Sequence, residues 1–412
     1  MKNSNVLKTY SGLPRSIYVV FFARIINSMG SFVHPFLTLF LTINLGLGTE
    51  TVGLFLMMAA LSSIPGSIIG GKLSDHIGRK SIIIIFQGLA ALCLIPCAFM
   101  GTSLTIPYLL ILSSFFGGAA QPANSAMMTD LTNTENRKAA YSLLYLGINI
   151  GFSLGPLIAG FLYNNHLKIL FLGDAATTIL SLILVSVFVE ETLPSISKSD
   201  ATANTYLYNE NERAQEGSMI FVLLKRPYLI AFATVSMIFS FMYSQFGFIT
   251  PMQMRKLFSI DGPKLYGSIM AINGLVVVTM TTLITALTRK FRPIFNVTLA
   301  GLFFSIGFGM LFFAKTFTFF IISTIIWTIG EILSATNSGV YIANHTPMSH
   351  RGRFNAVIPL ITGTGFAVGP FMMGLFIRNR QINSAWLLVF CFGILASACM
   401  YLLYLNEKRK EI

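Results

Sequence analysis

Charge is scarce in this chain of 412 residues: 10% are Asp, Glu, Lys or Arg, and only 15 are acids. A soluble globular chain carries about 25% charged residues, so this one cannot cover a water-facing surface. With 54% hydrophobic residues and a mean hydropathy of +0.72, it is expected to be an integral membrane protein. Cysteine is scarce too. Cys93, Cys97, Cys391 and Cys399 all fall in apolar stretches, and with no paired CxxC they suit packing better than zinc. The histidines form no cluster with ligand spacing, so no metal is expected. A glycine-rich phosphate loop ending in Lys-Ser or Lys-Thr, an HExxH and a GxSxG are all missing. These absences argue against an ATP-driven pump and the common hydrolases. The chain is expected to be no enzyme and to hold no cofactor. The net charge of +13 does not mark a nucleic-acid binder, because the basic residues are scattered over short loops. No cleavable signal peptide is expected, since the apolar run from Ser16 far exceeds the length of a signal core.

Long apolar runs are what the sequence does have. Windows of about 20 residues place twelve spans at 16–43, 51–73, 81–100, 106–129, 139–163, 169–190, 228–250, 264–287, 294–313, 318–341, 354–377 and 384–405. Backbone groups in hydrocarbon must be satisfied internally, and runs this long mean helices. With a cytoplasmic N-terminus, 20 of the 28 Lys and Arg fall inside and 7 outside, Arg24 lying within the first span. That bias puts both termini in the cytoplasm, and the membrane is expected to be the cell membrane. The stretch over 191–224 is polar, with a Ser/Thr/Ala-rich core, and reads as a linker. It separates an N-terminal bundle, 1–190, from a C-terminal bundle, 225–412.

The two halves repeat. Arg137 to Phe161, shifted by 214 positions, lands on Arg351 to Leu375 without a gap. Gly151-Phe152 meets Gly365-Phe366, Gly155-Pro156 meets Gly369-Pro370, and Gly160 meets Gly374. A six-span repeat in a membrane protein points to a transporter with its site near mid-membrane. The expected fold is therefore an all-α membrane protein with twelve transmembrane helices in two six-helix pseudo-symmetric bundles.

Between the second and third spans lies a charged turn, Gly71-Lys72-Leu73-Ser74-Asp75-His76-Ile77-Gly78-Arg79-Lys80. It resembles the signature loop of the major facilitator superfamily. Gly147, Gly151, Gly155, Pro156 and Gly160 in span 5 are similar to the antiporter motif of drug exporters in that superfamily, with Ala159 where glycine is usual. Small residues at every fourth position also make a smooth face for close helix packing, and Pro156 bends the helix. Trp327-Thr-Ile-Gly330-Glu331 together with Asp130 to Lys138 resembles the LmrP-like multidrug transporters of the twelve-span drug:proton antiporter branch. Span 5 departs from that group at Leu144, where an acid can stand. The resemblance implies the major facilitator fold and a cluster of Asp75, Arg79 and Asp130. It also implies that Asp75 meets the N-terminal dipole of span 11 near Arg353 to Asn355. Gly71, Asp75, Gly78, Arg79, Lys80 and Asp130 would then latch the two bundles.

Of the acids, Asp174 and Glu331 alone fall within spans. An ionisable residue there costs roughly 3 kcal/mol or more and is a functional candidate by default. Glu331, near the middle of span 10, is the expected proton-coupling acid, with Asp174 in second place or acting as a structural cap. Polar positions at similar depth are the cavity candidates: Arg24, Asn27, Gln121, Asn124, Asn149, Tyr243, Gln245, Asn273 and Asn337, with His34 beside them. Arg24 could equally snorkel, pair with an acid or meet an anionic substrate group. The leading expectation is a monomeric secondary transporter embedded in lipid that exports small amphipathic molecules in exchange for protons. An uptake symporter or facilitator, and a sensor that has lost transport, stand as its alternatives.

Overall fold

A computed structural model describes residues 12–133, 135–193, 223, 225–346 and 351–410, with backbone alone for 138, 351–356 and 410. The polar linker core therefore lies outside the described residues. The described chain is helical from end to end, with no strand. The helices are α1 (Arg15–Asn44), α2 (Thr49–Ile77), α3 (Arg79–Cys97), α4 (Ile106–Asp130), α5 (Arg137–Leu162), α6 (Leu167–Phe188), α7 (Pro227–Phe258), α8 (Gly262–Thr288), α9 (Pro293–Gly309), α10 (Phe317–Asn344), α11 (Arg351–Ile377) and α12 (Ser384–Lys410). Each of the twelve expected spans is helical. By length and apolarity, ten stretches can cross a membrane, one of them being α7 and α8 joined through the 3-10 turn Ser259–Asp261. Helix α4 falls outside that set, because its second half is built from Gly, Ala, Gln, Asn and Ser.

Two expectations change. The charged turn is almost no turn: Gly71 to Ile77 completes α2, Arg79 opens α3, and Gly78 alone separates them. Its charged residues continue the helices past the apolar runs. The first span is not one continuous helix. It is α-helical over Arg15–Met29, broken at Gly30–Phe32, and resumes over Val33–Leu39 with a π-helical turn, Phe40–Asn44. Pro35 sits in the first turn of the resumed piece, where a missing N–H costs nothing.

The chain divides into two compact units, Met1–Lys198 with Met254–Val278, and Ser199–Gln253 with Thr279–Ile412. In the first, α1 packs on α5 and α6, α2 on α4, and α3 on α4 and α6. Its core joins Ile17 and Val20, Ile82 and Ile83, Met127 and Met128, and Leu143 and Leu144. Glycine sets the closest approach: a Cβ at Gly118 would come within 2.6 Å of the Ser63 Cα. In the second unit, α9 packs on α10 and α12.

Candidate functional site

Asp174 stands two turns into α6 and faces the break in α1. Its Oδ2 accepts the backbone N–H of Phe32 and of Val33, both at 3.1 Å. A resumed helix exposes orphan N–H groups at its start, and this carboxylate satisfies two of them. The approach is tight. A Cβ at Gly30 would overlap Thr177, and one at Gly173 would come within 2.8 Å of the Phe32 ring. One turn before the break, Asn27 Oδ1 accepts from Thr178 Oγ1 at 3.1 Å. Helices α1 and α6 are thus joined by a polar seam around Asp174.

Glu331 lies midway along α10 (Phe317–Asn344) in the second unit. The Tyr243 hydroxyl of α7 donates to its Oε1 at 3.0 Å. Around this pair is an aromatic wall. The Trp327 ring lies 5.8 Å from Tyr243 and 4.7 Å from Phe246. Phe308 stacks on Trp327 at 5.3 Å and on Trp386 at 5.8 Å. Trp386 Nε1 donates to Gln253 Oε1 at 2.6 Å, and Gln253 Nε2 donates to the Leu311 carbonyl. An acid with a hydroxyl partner beside an apolar aromatic surface can exchange a proton and meet an amphipathic ligand.

At the end of the helices expected to be cytoplasmic, Arg79 gathers the charges. Its Nη1 lies 2.9 Å from Asp75 Oδ1, and its Nε 3.5 Å from Asp130 Oδ2. Thr192 Oγ1 donates to the same Asp130 oxygen. The residue missed by the sequence reading is Glu191. Its carboxylate accepts the backbone N–H of Arg79 at 2.7 Å, of Lys80 at 3.1 Å and of Ser81 at 3.4 Å, capping α3. Burial works to raise the Glu191 carboxyl, but the backbone N–H bonds prevail and hold it below its ordinary range. Gly78 makes room for it. Its φ of +114° is open to glycine, and a Cβ there would come within 2.6 Å of the Glu191 carboxyl carbon. Gly71 has no such role, since a Cβ there would meet Pro122 at an ordinary 3.7 Å. The side chains of 351–356 lie outside the described residues, and with them the expected partner of Asp75.

The span 5 glycines act in two directions. Gly147 faces Phe21 and Ile25, Gly151 faces Ser28 and Met29, and Gly155 faces the Met29 carbonyl, all on α1. Gly160 faces Pro263 and Lys264 at the start of α8, and the Pro156 carbonyl lies against Gly267 of the same helix. The repeat mates Gly365 and Gly369 face Met237 and Ser244 of α7. The sequence repeat is therefore also a repeat of packing, unit by unit.

The remaining candidates separate by exposure. Arg24, Asn27, Asn124, Asn149, Tyr243, Asn273 and Asn337 are half-buried, while Gln121 and His34 are exposed. Asn124 and Asn149 donate to carbonyls one turn back, and Asn337 accepts from Asn296 at 2.9 Å. Gln245 is wholly buried and donates to the Phe241 carbonyl and to Ser244.

The family model of the Major Facilitator Superfamily matches residues 20–336 and 297–412. Among curated proteins, the chain is 24% identical to the uncharacterized MFS-type transporter YqjV of Bacillus subtilis over 359 residues, covering 86% of this chain and 83% of that one. It is 23% identical to a Na(+), Li(+), K(+)/H(+) antiporter of Planococcus maritimus, covering 82% and 84%. It is 29% identical to the quinolone resistance protein NorA of Staphylococcus aureus over 185 residues, covering 43% and 46%. Among solved structures, a peptide transporter POT in complex with sulfate superposes with a TM-score of 0.75 at 16% identity, covering 97% and 96%. At that identity the likeness is one of fold.

Proposed function

The chain belongs to the Major Facilitator Superfamily of membrane transporters, and on that premise we propose that it exports small amphipathic or drug-like molecules in exchange for protons. The reading places it in the twelve-span drug:proton antiporter branch, working by alternating access. The observation that carries it is the Tyr243–Glu331 pair, an acid midway along α10 with a hydroxyl donor and an aromatic wall. Two relatives lend support, one a cation/proton antiporter and one a quinolone resistance protein. Glu331 takes up and releases the coupled proton. Asp174, tied to the break in α1, is the second acid of the cycle. The Asp75–Arg79–Asp130 cluster acts as a latch at the cytoplasmic face of the cell membrane. Asp75→Asn should then slow transport while substrate binding survives.

The test uses inverted and right-side-out membrane vesicles, a proton gradient of either sign, and a cationic, a neutral and an anionic fluorescent dye. Dye movement opposite to protons, lost in Glu331→Gln, is the expected result. Movement with protons would replace export by symport. A Glu331→Gln variant that still concentrates dye with unchanged pH dependence would remove Glu331 from the coupling step.

A further inference from the structure

We propose that Arg24 is the recognition site for a carboxylate on the transported molecule, so that small amphipathic acids and zwitterions are the favoured substrates. This rests on the reading above only in requiring a transported small molecule. Arg24 stands nine residues past Arg15, so it lies about 14 Å along α1 at 1.5 Å per residue. That is near the middle of a hydrocarbon layer about 30 Å thick. The residue lies deep in the molecule, yet it is only half-buried, so part of it stays accessible.

Among the described residues the guanidinium has no hydrogen bond, ion pair or ring contact. Its neighbours on α1 are committed elsewhere. Phe21 and Ile25 receive Gly147, Ser28 receives Gly151, and Asn27 accepts from Thr178. The acid within a span of the same unit, Asp174, is engaged by the N–H groups of Phe32 and Val33, eight and nine residues further along. His34, likewise deep, open and without a bond, adds a basic group to the same helix and no counter-charge.

A guanidinium cannot shed its proton to suit its surroundings. A charge held away from bulk water needs an opposite charge or several hydrogen bonds. The described residues supply neither at Arg24. The fork of N–H groups matches a carboxylate bidentately; a neutral ligand can accept from it only without the opposite charge, and a cationic one is repelled.

The test is equilibrium binding of dansylglycine and of its neutral amide to the full chain in lipid nanodiscs, read by fluorescence polarisation. A charge-assisted pair predicts that the wild type prefers the acid by about tenfold or more. Arg24→Gln should collapse that ratio toward unity, and Arg24→Lys should keep part of it, which a merely structural arginine would not do. Equal binding of the two probes, preference for the amide, no saturable binding of the acid, or an Arg24→Gln variant with the wild-type ratio overturns the assignment. Dye exchange against protons with no acid preference would sink the Arg24 site and leave the export reading. An Arg24-dependent preference with no exchange against protons would do the reverse.

Discussion

Gly78 and Glu191 occupy complementary space: the missing side chain of one is where the carboxylate of the other sits. The carboxylate reaches the first turn of α3 only because residue 78 has no Cβ and a φ of +114°. Gly78→Ala should therefore cost about 1–3 kcal/mol, from backbone strain and a displaced cap. Gly71→Ala, on the same stretch but with only an ordinary contact to Pro122, should be near neutral. Thermal unfolding of the purified protein separates the two.

The cap also predicts a pH response. The Glu191 carboxyl is held below its ordinary value of 4.5. Its contribution is present above that value and is lost as pH falls through the lower folded value. Because the site is exposed, the contribution should be about 1 kcal/mol at most. Glu191→Gln should lower the melting temperature at neutral pH and flatten its fall in acid. An unchanged acid limb would show that the cap is not felt.

Asp174 closes a gap that hydrocarbon cannot fill. Asp174→Ala leaves two backbone donors without their acceptor, each a loss of about 1–3 kcal/mol. Asp174→Asn keeps a carbonyl oxygen and should fold. If proton coupling uses this acid, the asparagine variant will bind substrate but move it without pH dependence. If Asp174 is only a cap, transport will keep its pH profile.

Tyr243→Phe removes one hydroxyl and little volume. The hydrogen bond goes to an acid, and such bonds are worth about 1.5–3 kcal/mol, or roughly tenfold to a hundredfold in rate if the bond acts in the rate-limiting step. Vesicle transport should fall by about that factor, with expression and melting temperature near wild type. A rate within twofold of wild type would take Tyr243 out of the coupling step.

The helices were legible because apolar runs of about 20 residues have few alternatives in lipid. Most of their ends moved by a few residues only, while α7 runs on to Phe258, with Arg255 and Lys256 beyond the apolar run. The break in α1 was not legible, because Gly30-Ser31 differs little from ordinary small-residue packing. Its decisive partner, Asp174, is more than 140 residues away. Glu191 was hidden for the same reason. One of two adjacent acids at the end of α6 becomes a cap only when the fold brings it to Gly78. By contrast, the Asp75–Arg79–Asp130 grouping was visible through the signature loop, and Glu331 through the rarity of acids within spans. Tyr243 stands among the cavity candidates in the sequence, but its bond to Glu331 depends on how α7 and α10 face each other.

The Phe308 stack has a consequence for observation. The chain contains 2 tryptophans, and Trp327 and Trp386 lie on the same phenylalanine, beside the ring that serves Glu331. All tryptophan emission therefore originates from one neighbourhood of the second unit. The molecule carries a built-in optical reporter: with tryptophan excited selectively over the 14 tyrosines, quenching or a spectral shift on adding a ligand registers events in the neighbourhood of Tyr243, with no label.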